Sequence, residues 1–228
     1  MFTVNVVHVR IGSRVLSTAR KREFSMLRRP DVVKGALDLL DAEGLDGLTM
    51  RKLGTALNVQ AGAMYRHFPS KEALLDAMAE QLLEGVAAPL PEVSWDEQLR
   101  VLGDRLRGAL LSRRDGARVV AGTYVPDANT NAAGRLAVEV LCRAGLAPEQ
   151  AGWITFAMFY YVLGHTIEEQ AQSRLAESDD WATRRAAAGP DESATFEKAM
   201  SALITADPGA RFAYGLDVFL DGLAQRLP

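Results

Sequence analysis

The stretch Gly47-Leu48-Thr49-Met50-Arg51-Lys52-Leu53-Gly54-Thr55-Ala56-Leu57-Asn58-Val59-Gln60-Ala61-Gly62-Ala63-Met64-Tyr65-Arg66-His67-Phe68-Pro69-Ser70-Lys71 decides the fold. Thr49 is a helix N-cap for a run carrying Leu53 and Leu57. Asn58-Val59-Gln60 has room only for a tight turn. A short helix then runs to about His67-Phe68, where Pro69-Ser70 interrupts it and Ser70 caps the next. A helix, a tight turn and a second short helix in a basic setting follow the helix-turn-helix plan. Leu53, Leu57, Val59 and Met64 are the apolar lock that fixes the angle between the two helices. Gln60, Ala61, Gly62 and Ala63 suit the entry to a major groove, since small side chains allow close approach and a glutamine can pair with adenine. Thr49, Arg51, Lys52, Tyr65, Arg66, His67 and Lys71 supply the hydroxyl and basic groups that hold phosphates.

Outward from this core the pattern stays helical. Val33, Ala36, Leu37 and Leu40 form one face of a helix that opens at Pro30 and stops at Gly44. Leu74, Leu75, Met78 and Leu82 stripe a fourth helix, which Pro89 and Pro91 bring to its end. Leu99, Leu102, Leu106 and Leu110 follow at helical spacing. A polar loop holds Pro126, Asp127, Asn129 and Asn131. Helical patterns then resume at about 131–144 and 149–173. Residues 177–195 read as a mobile polar loop with Gly189-Pro190. Phe212, Leu216, Phe219, Leu220 and Leu223 stripe a final helix over about 208–226. No segment alternates with period two, so the expected class is all-α. The expected division is a basic extension over 1–29, a three-helix DNA-binding domain over 30–76, and an effector-binding and dimerisation domain over 77–228.

The charge distribution agrees. The chain of 228 residues has a net charge of -3, which by itself argues against nucleic acid. Residues 1–72 hold 12 Lys/Arg against 7 Asp/Glu, a net of +5, and the remainder holds 14 against 22, a net of -8. A basic end on an acidic body is the electrostatic footprint of a small polyanion-binding module, with chance clustering as the alternative. Residues 1–29 carry Arg10, Arg14, Arg20, Lys21, Arg22, Arg28 and Arg29 against Glu23. They fit a basic arm reaching into DNA, and equally a segment upstream of a true start at Met26. Cys142 is the only cysteine, so no intramolecular disulfide and no thiolate zinc cluster forms; it reads as a buried small hydrophobe, or else a redox sensor. The N-terminus lacks the order of a signal peptide and no run of about 18 apolar residues exists. A cytoplasmic protein without membrane contact is expected.

The run Gly47 to Gly54, then Leu57-Asn58-Val59, then Ala63 to Leu75 resembles the signature of the TetR family of transcriptional regulators. The resemblance continues through Ala109-Leu110-Leu111-Ser112-Arg113-Arg114-Asp115-Gly116-Ala117-Arg118-Val119, through Leu163-Gly164 with Glu168-Glu169-Gln170, and through Phe212-Ala213-Tyr214-Gly215-Leu216. These segments look like the C-terminal domain of the tetracycline-repressor branch. The resemblance implies that Thr49, Tyr65, His67 and Lys71 bind phosphates, while Arg51, Gln60–Ala63 and Arg66 face bases or the groove. It implies a homodimer built by a four-helix bundle from about 149–173 and 208–226, with Phe212, Leu216, Phe219, Leu220 and Leu223 as the interface.

In that branch the drug is held through magnesium, by a histidine after the Arg-Asp-Gly-Ala run and a glutamate on the bundle helix. Here the histidine position reads Val120 and a second histidine position reads Ala87; Thr123 is retained and Glu168 stands for the glutamate. One carboxylate does not make a hard-cation site, so no magnesium and no other cofactor are expected. The effector pocket should be largely apolar, drawn from Leu102, Leu106, Val120, Thr123, Tyr124, Thr155, Phe156, Phe159, Tyr160 and His165. The function expected is a ligand-responsive repressor that binds a palindromic operator. The effector would favour a state whose recognition helices no longer match half-sites about 34–36 Å apart, with residues 70–88 as the lever. A transcriptional activator or a constitutive DNA-binding protein of the same fold would share these motifs. An enzyme would not: His8, His67 and His165 are scattered, and no nucleophile elbow or Gly-rich phosphate loop is present.

Overall fold

The computed structural model describes residues 27–123, 127–176, 183, 187, 189 and 193–227. Among them are ten helices and no strand, the expected all-α class. Residues 1–26 of the basic extension and Tyr124 lie outside the described residues, as does most of the polar segment 177–195.

Helix α1 (Arg29–Gly47) opens with Pro30 in its first turn, and Asp31 accepts the Arg28 backbone N–H at 3.1 Å. Val33, Ala36, Leu37 and Leu40 are buried as their spacing predicts, and so are Val32 and Leu39, because α1 is covered on more than one side. Gly44, at φ 72°, breaks the helix and leaves one further turn. Thr49 caps α2 (Met50–Ala56) by accepting Lys52 N–H at 3.2 Å. Asn58 takes the left-handed turn position at φ 55°, and α3 (Ala61–Tyr65) follows, shorter than the run to Phe68 expected from sequence. Leu53, Met64 and Phe68 are fully buried between these helices.

Ser70 caps α4 (Lys71–Leu82) by accepting Ala73 N–H at 3.1 Å. This helix stops well short of the prolines that were expected to end it. Gly85, at φ 81°, instead lets the chain turn after Leu83. The segment 70–88 expected to act as a lever is therefore the helix Lys71–Leu82 followed by a turn, not one rod.

The body consists of α5 (Trp95–Leu111), α6 (Gly116–Ala121), α7 (Ala128–Arg143), α8 (Pro148–Ala176), α9 (Ala194–Thr205) and α10 (Pro208–Ala224). Leu99, Leu102, Leu106 and Leu110 of α5 form the buried spine. Cys142 sits half-buried at the edge of the core. Helix α9 was not foreseen; it begins where the polar loop was expected to end. Its signal is readable: Ser193 caps it by accepting Phe196 N–H, and Phe196, Met200, Leu203 and Ile204 share a face. None of its side chains is buried.

The DNA-binding end and the body meet at the α5–α6 corner. Asp115, 3% exposed and left-handed at φ 56°, accepts the Leu45 N–H at 3.0 Å and pairs with Arg174 of α8 at 2.5 Å. Arg113 pairs with Asp41 at 2.6 Å and Arg118 with Asp46 at 3.0 Å. These two pairs lie on the surface, where water makes each worth little. Gln170 of α8 fixes the corner from behind, donating to the carbonyls of Leu110 and Arg113 and accepting Ala117 N–H. Gly116 is required by this closeness, since a Cβ there would strike the Leu110 carbonyl oxygen. Gly116→Ala should therefore destabilise the fold by about 1–3 kcal/mol. A thermal melt lowered by several degrees is the expected readout, and an unchanged melt would contradict this packing.

Candidate DNA-binding and effector sites

The helix-turn-helix presents its polar side chains as the motif requires. Thr49, Arg51, Lys52, Gln60, Gly62 and Arg66 are exposed, and Tyr65 keeps 52% of its surface open. Ala63, His67 and Lys71 are half-buried, and Ala61 begins α3. A side chain built at Gly62 would meet nothing within 4 Å, so the middle of α3 is open to a groove. Lys52 is partly committed, its ammonium paired with Glu43. Arg29 stacks its guanidinium 4.5 Å from the Phe68 ring centre and anchors the start of α1 over the end of the motif.

A cavity of about 140 Å³ lies in the body. Its walls are Leu83 and Val86 from the turn after α4, and Leu102 and Leu106 from α5. Helix α7 adds Thr130, Ala133, Gly134 and Ala137, while α8 adds Thr155, Phe156, Met158 and Phe159. Glu80 of α4 ties that corner shut by accepting the backbone N–H of Asn129 at 2.5 Å, at the positive end of α7. Five residues expected at an effector pocket meet here: Leu102, Leu106, Thr155, Phe156 and Phe159. Of the others that the structure describes, none lines it. Val120 is buried in the core beside it, and Thr123 spends its hydroxyl on the Val119 carbonyl at 3.1 Å. Tyr160 is 63% exposed on the outer face of α8. Leu83, Val86 and the α7 residues Thr130, Ala133 and Gly134 were missed, because the turn at Gly85 and the α7 register were not legible.

His165 belongs to a different cluster. Its ring packs on Phe212 and Tyr161, with centroids 5.3 Å and 6.1 Å away. Its Nδ1 is buried without a hydrogen bond, 3.7 Å from a Glu169 carboxylate that Arg107 already engages through two nitrogens. Burial pushes the His165 pKa below its ordinary 6.5; Glu169 opposes the shift, and Arg107 and Arg211 add to it. The unfolded chain thus binds the proton more readily, and His165 contributes a stability that is full above pH 6.5 and is lost as the pH falls below it. The urea midpoint should fall between pH 7.5 and 5.5, and His165→Phe should flatten that fall; an equal fall in both proteins would contradict it.

The stripe expected to form a subunit interface is the protomer's own core. Phe212, Leu216, Leu220 and Leu223 are each no more than 3% exposed in a single chain, so they have no surface left to give a partner. They pack on α5 and α8, where the Tyr161 hydroxyl donates to the Phe212 carbonyl at 2.6 Å; Phe219 is half-buried beside them. On α8 and α10 the large apolar side chains that stand more than half open are Trp153, Phe156 and Tyr160, and Tyr214 and Val218.

A hard divalent cation does not fit the cavity. Among the described residues its walls carry no carboxylate and no imidazole, Val120 is a buried alkyl group, Ala87 has no side-chain donor, and Glu168 is exposed. Among the described residues no three His, Cys, Asp or Glu cluster closely enough to hold a metal ion. No helix among them is long and apolar enough to cross a membrane.

Comparison with known proteins places this geometry. A profile described as bacterial regulatory proteins, tetR family, matches residues 32–78, and one described as tetracyclin repressor-like, C-terminal domain, matches residues 88–227. The tetracycline repressor protein class A from transposon 1721 of Escherichia coli is 38% identical over 206 residues, covering 89% of this chain and 93% of that protein. A crystal structure of a possible TetR family transcriptional regulator from Streptomyces coelicolor A3(2) superposes with a TM-score of 0.80 at 40% identity, over 87% of this chain and 99% of the other. The crystal structure of BioQ with its natural double-stranded DNA operator superposes at 0.65 with 30% identity, over 87% and 99%. With its helix-turn-helix and its helical body both matched, the chain belongs to the TetR family of bacterial regulatory proteins.

Proposed function

We propose that the protein is a transcriptional repressor that binds a palindromic operator as a homodimer and leaves it when a small, largely hydrophobic effector fills the cavity. One observation carries this reading. Leu83 and Val86, in the turn that directly follows α4, are walls of the cavity, while Lys71 at the other end of α4 directly follows the DNA-binding motif. A ligand there bears on one end of a twelve-residue helix, about 18 Å long, whose other end sets the recognition helix. Thr49, Tyr65, His67 and Lys71 would hold phosphates; Arg51, Gln60, Ala61, Gly62, Ala63 and Arg66 would face the groove, with Lys52 beside them. The tetracycline repressor and the operator-bound BioQ structure support the two halves of the scheme.

The dimer face in this reading is the exposed strip on α8 and α10, with α9 laid against the second copy. The release needs no magnesium, because the cavity offers alkyl and aromatic groups in place of cation ligands. The protein works by binding and not by catalysis, in the cytoplasm where its operator lies. The experiment is release: a preformed complex with labelled operator is challenged with neutral hydrophobic compounds, with and without a chelator. Release by at least one compound, unaffected by chelation, is expected. A complex that persists against all of them would mark a constitutive DNA-binding protein, and release only with added magnesium would overturn the metal-free account.

A further inference from the structure

We infer that the cavity takes an uncharged, single-ring aromatic molecule bearing one hydrogen-bonding group, and that Thr155 is the residue that recognises that group. The inference rests on the effector reading above and specifies its ligand. Thr155 is part of the wall, yet its Oγ1 is buried and bonded to no protein group. Three other described threonines make the contrast. Thr55, Thr166 and Thr205, also on helices, each donate to the carbonyl four residues back, at 3.1, 2.7 and 2.9 Å. Thr155 has the same option toward Ala151 and leaves it unused. A buried hydroxyl without a partner carries a desolvation cost that a ligand's acceptor or hydroxyl at that point removes.

The remaining walls set the rest of the ligand. Among the described residues no lining side chain carries a charge, so a charged ligand would lose its water with no counter-charge from them in exchange. The rings of Phe156 and Phe159 and the thioether of Met158 favour an aromatic face. The volume of about 140 Å³ matches one ring with a small substituent, since an apolar cavity of about 150 Å³ takes benzene.

The test uses the full chain and three probes of nearly equal size: phenol, toluene and benzoate. Binding is followed by NMR chemical-shift titration in the wild type, Thr155→Val and Thr155→Ser. Phenol and toluene should saturate the wild type and benzoate should not. Thr155→Val should weaken phenol by about threefold to tenfold and leave toluene unchanged or tighter. Thr155→Ser should keep phenol. Should Thr155→Val not fold, Thr155→Ala carries the same comparison. Equal weakening of phenol and toluene, saturation by benzoate, or no response to any probe would overturn the inference. Operator titration of the same samples separates the two claims. Protein that binds operator but no probe removes the ligand class alone, whereas protein that takes phenol and ignores operator removes the repressor reading.

Discussion

Gly62→Glu should cost about a hundredfold in operator affinity, roughly 3 kcal/mol, while leaving the fold intact. A side chain at this position meets no protein atom within 4 Å, so nothing in the structure has to move. Replacing a helical glycine stabilises the helix by up to about 1 kcal/mol. The thermal melt should therefore stay level or rise. The loss arises wholly on the DNA side: the carboxylate occupies the space that α3 offers to the groove and brings a negative charge toward phosphates. Gly62→Ala separates the two effects, with a small loss expected from bulk alone. Anisotropy titrations of the three proteins against one operator make the comparison. A Gly62→Glu protein that binds as the wild type does would show that α3 does not enter the groove.

The second large effect is on stability. Asp115→Ala removes the acceptor for the Leu45 N–H and the partner of Arg174, and leaves alanine at a positive φ. The aspartate is buried but Arg174 is 35% exposed, so water relieves part of the loss, and a cost of about 2–4 kcal/mol is expected. Asp115→Asn keeps an acceptor and tolerates the left-handed backbone, so it should cost less. For a chain of this length, the alanine variant should melt about 5–12 °C below the wild type. Equal melting of wild type and alanine variant would mean that the corner does not bind α1 to the body.

The DNA-binding end was legible because its signals are local. Caps at Thr49 and Ser70, the turn at Asn58 and the apolar lock at Leu53 and Met64 all act within a few residues, and each is present as read. The body was legible as helices, but not in which face of each helix looks inward. Two apolar faces on one helix carry the same spacing signal whether the partner is the same chain or another. On α10 the stripe from Phe212 to Leu223 turned out to be the inner one, and Tyr214 and Val218 the outer. The cavity is half legible: Leu102, Leu106 and Phe159 follow from the resemblance to the tetracycline-repressor branch, whereas Leu83 and Val86 reach it only because Gly85 turns the chain early. Helix α9 is hard to read from sequence because it directly follows a polar segment and buries none of its side chains in the protomer.

In the proposed function this chain reads a DNA sequence through α3 and holds the backbone with the groups around it. The most direct measurement is a fluorescence-anisotropy titration of the protein against labelled DNA from its own upstream region, with a scrambled duplex as competitor and across a salt series. Tight binding that resists the competitor and weakens steeply with salt is predicted, as phosphate contacts release counterions. Binding no tighter than to the scrambled duplex, with the same shortfall across DNA recovered by a genome-wide pull-down, would contradict it.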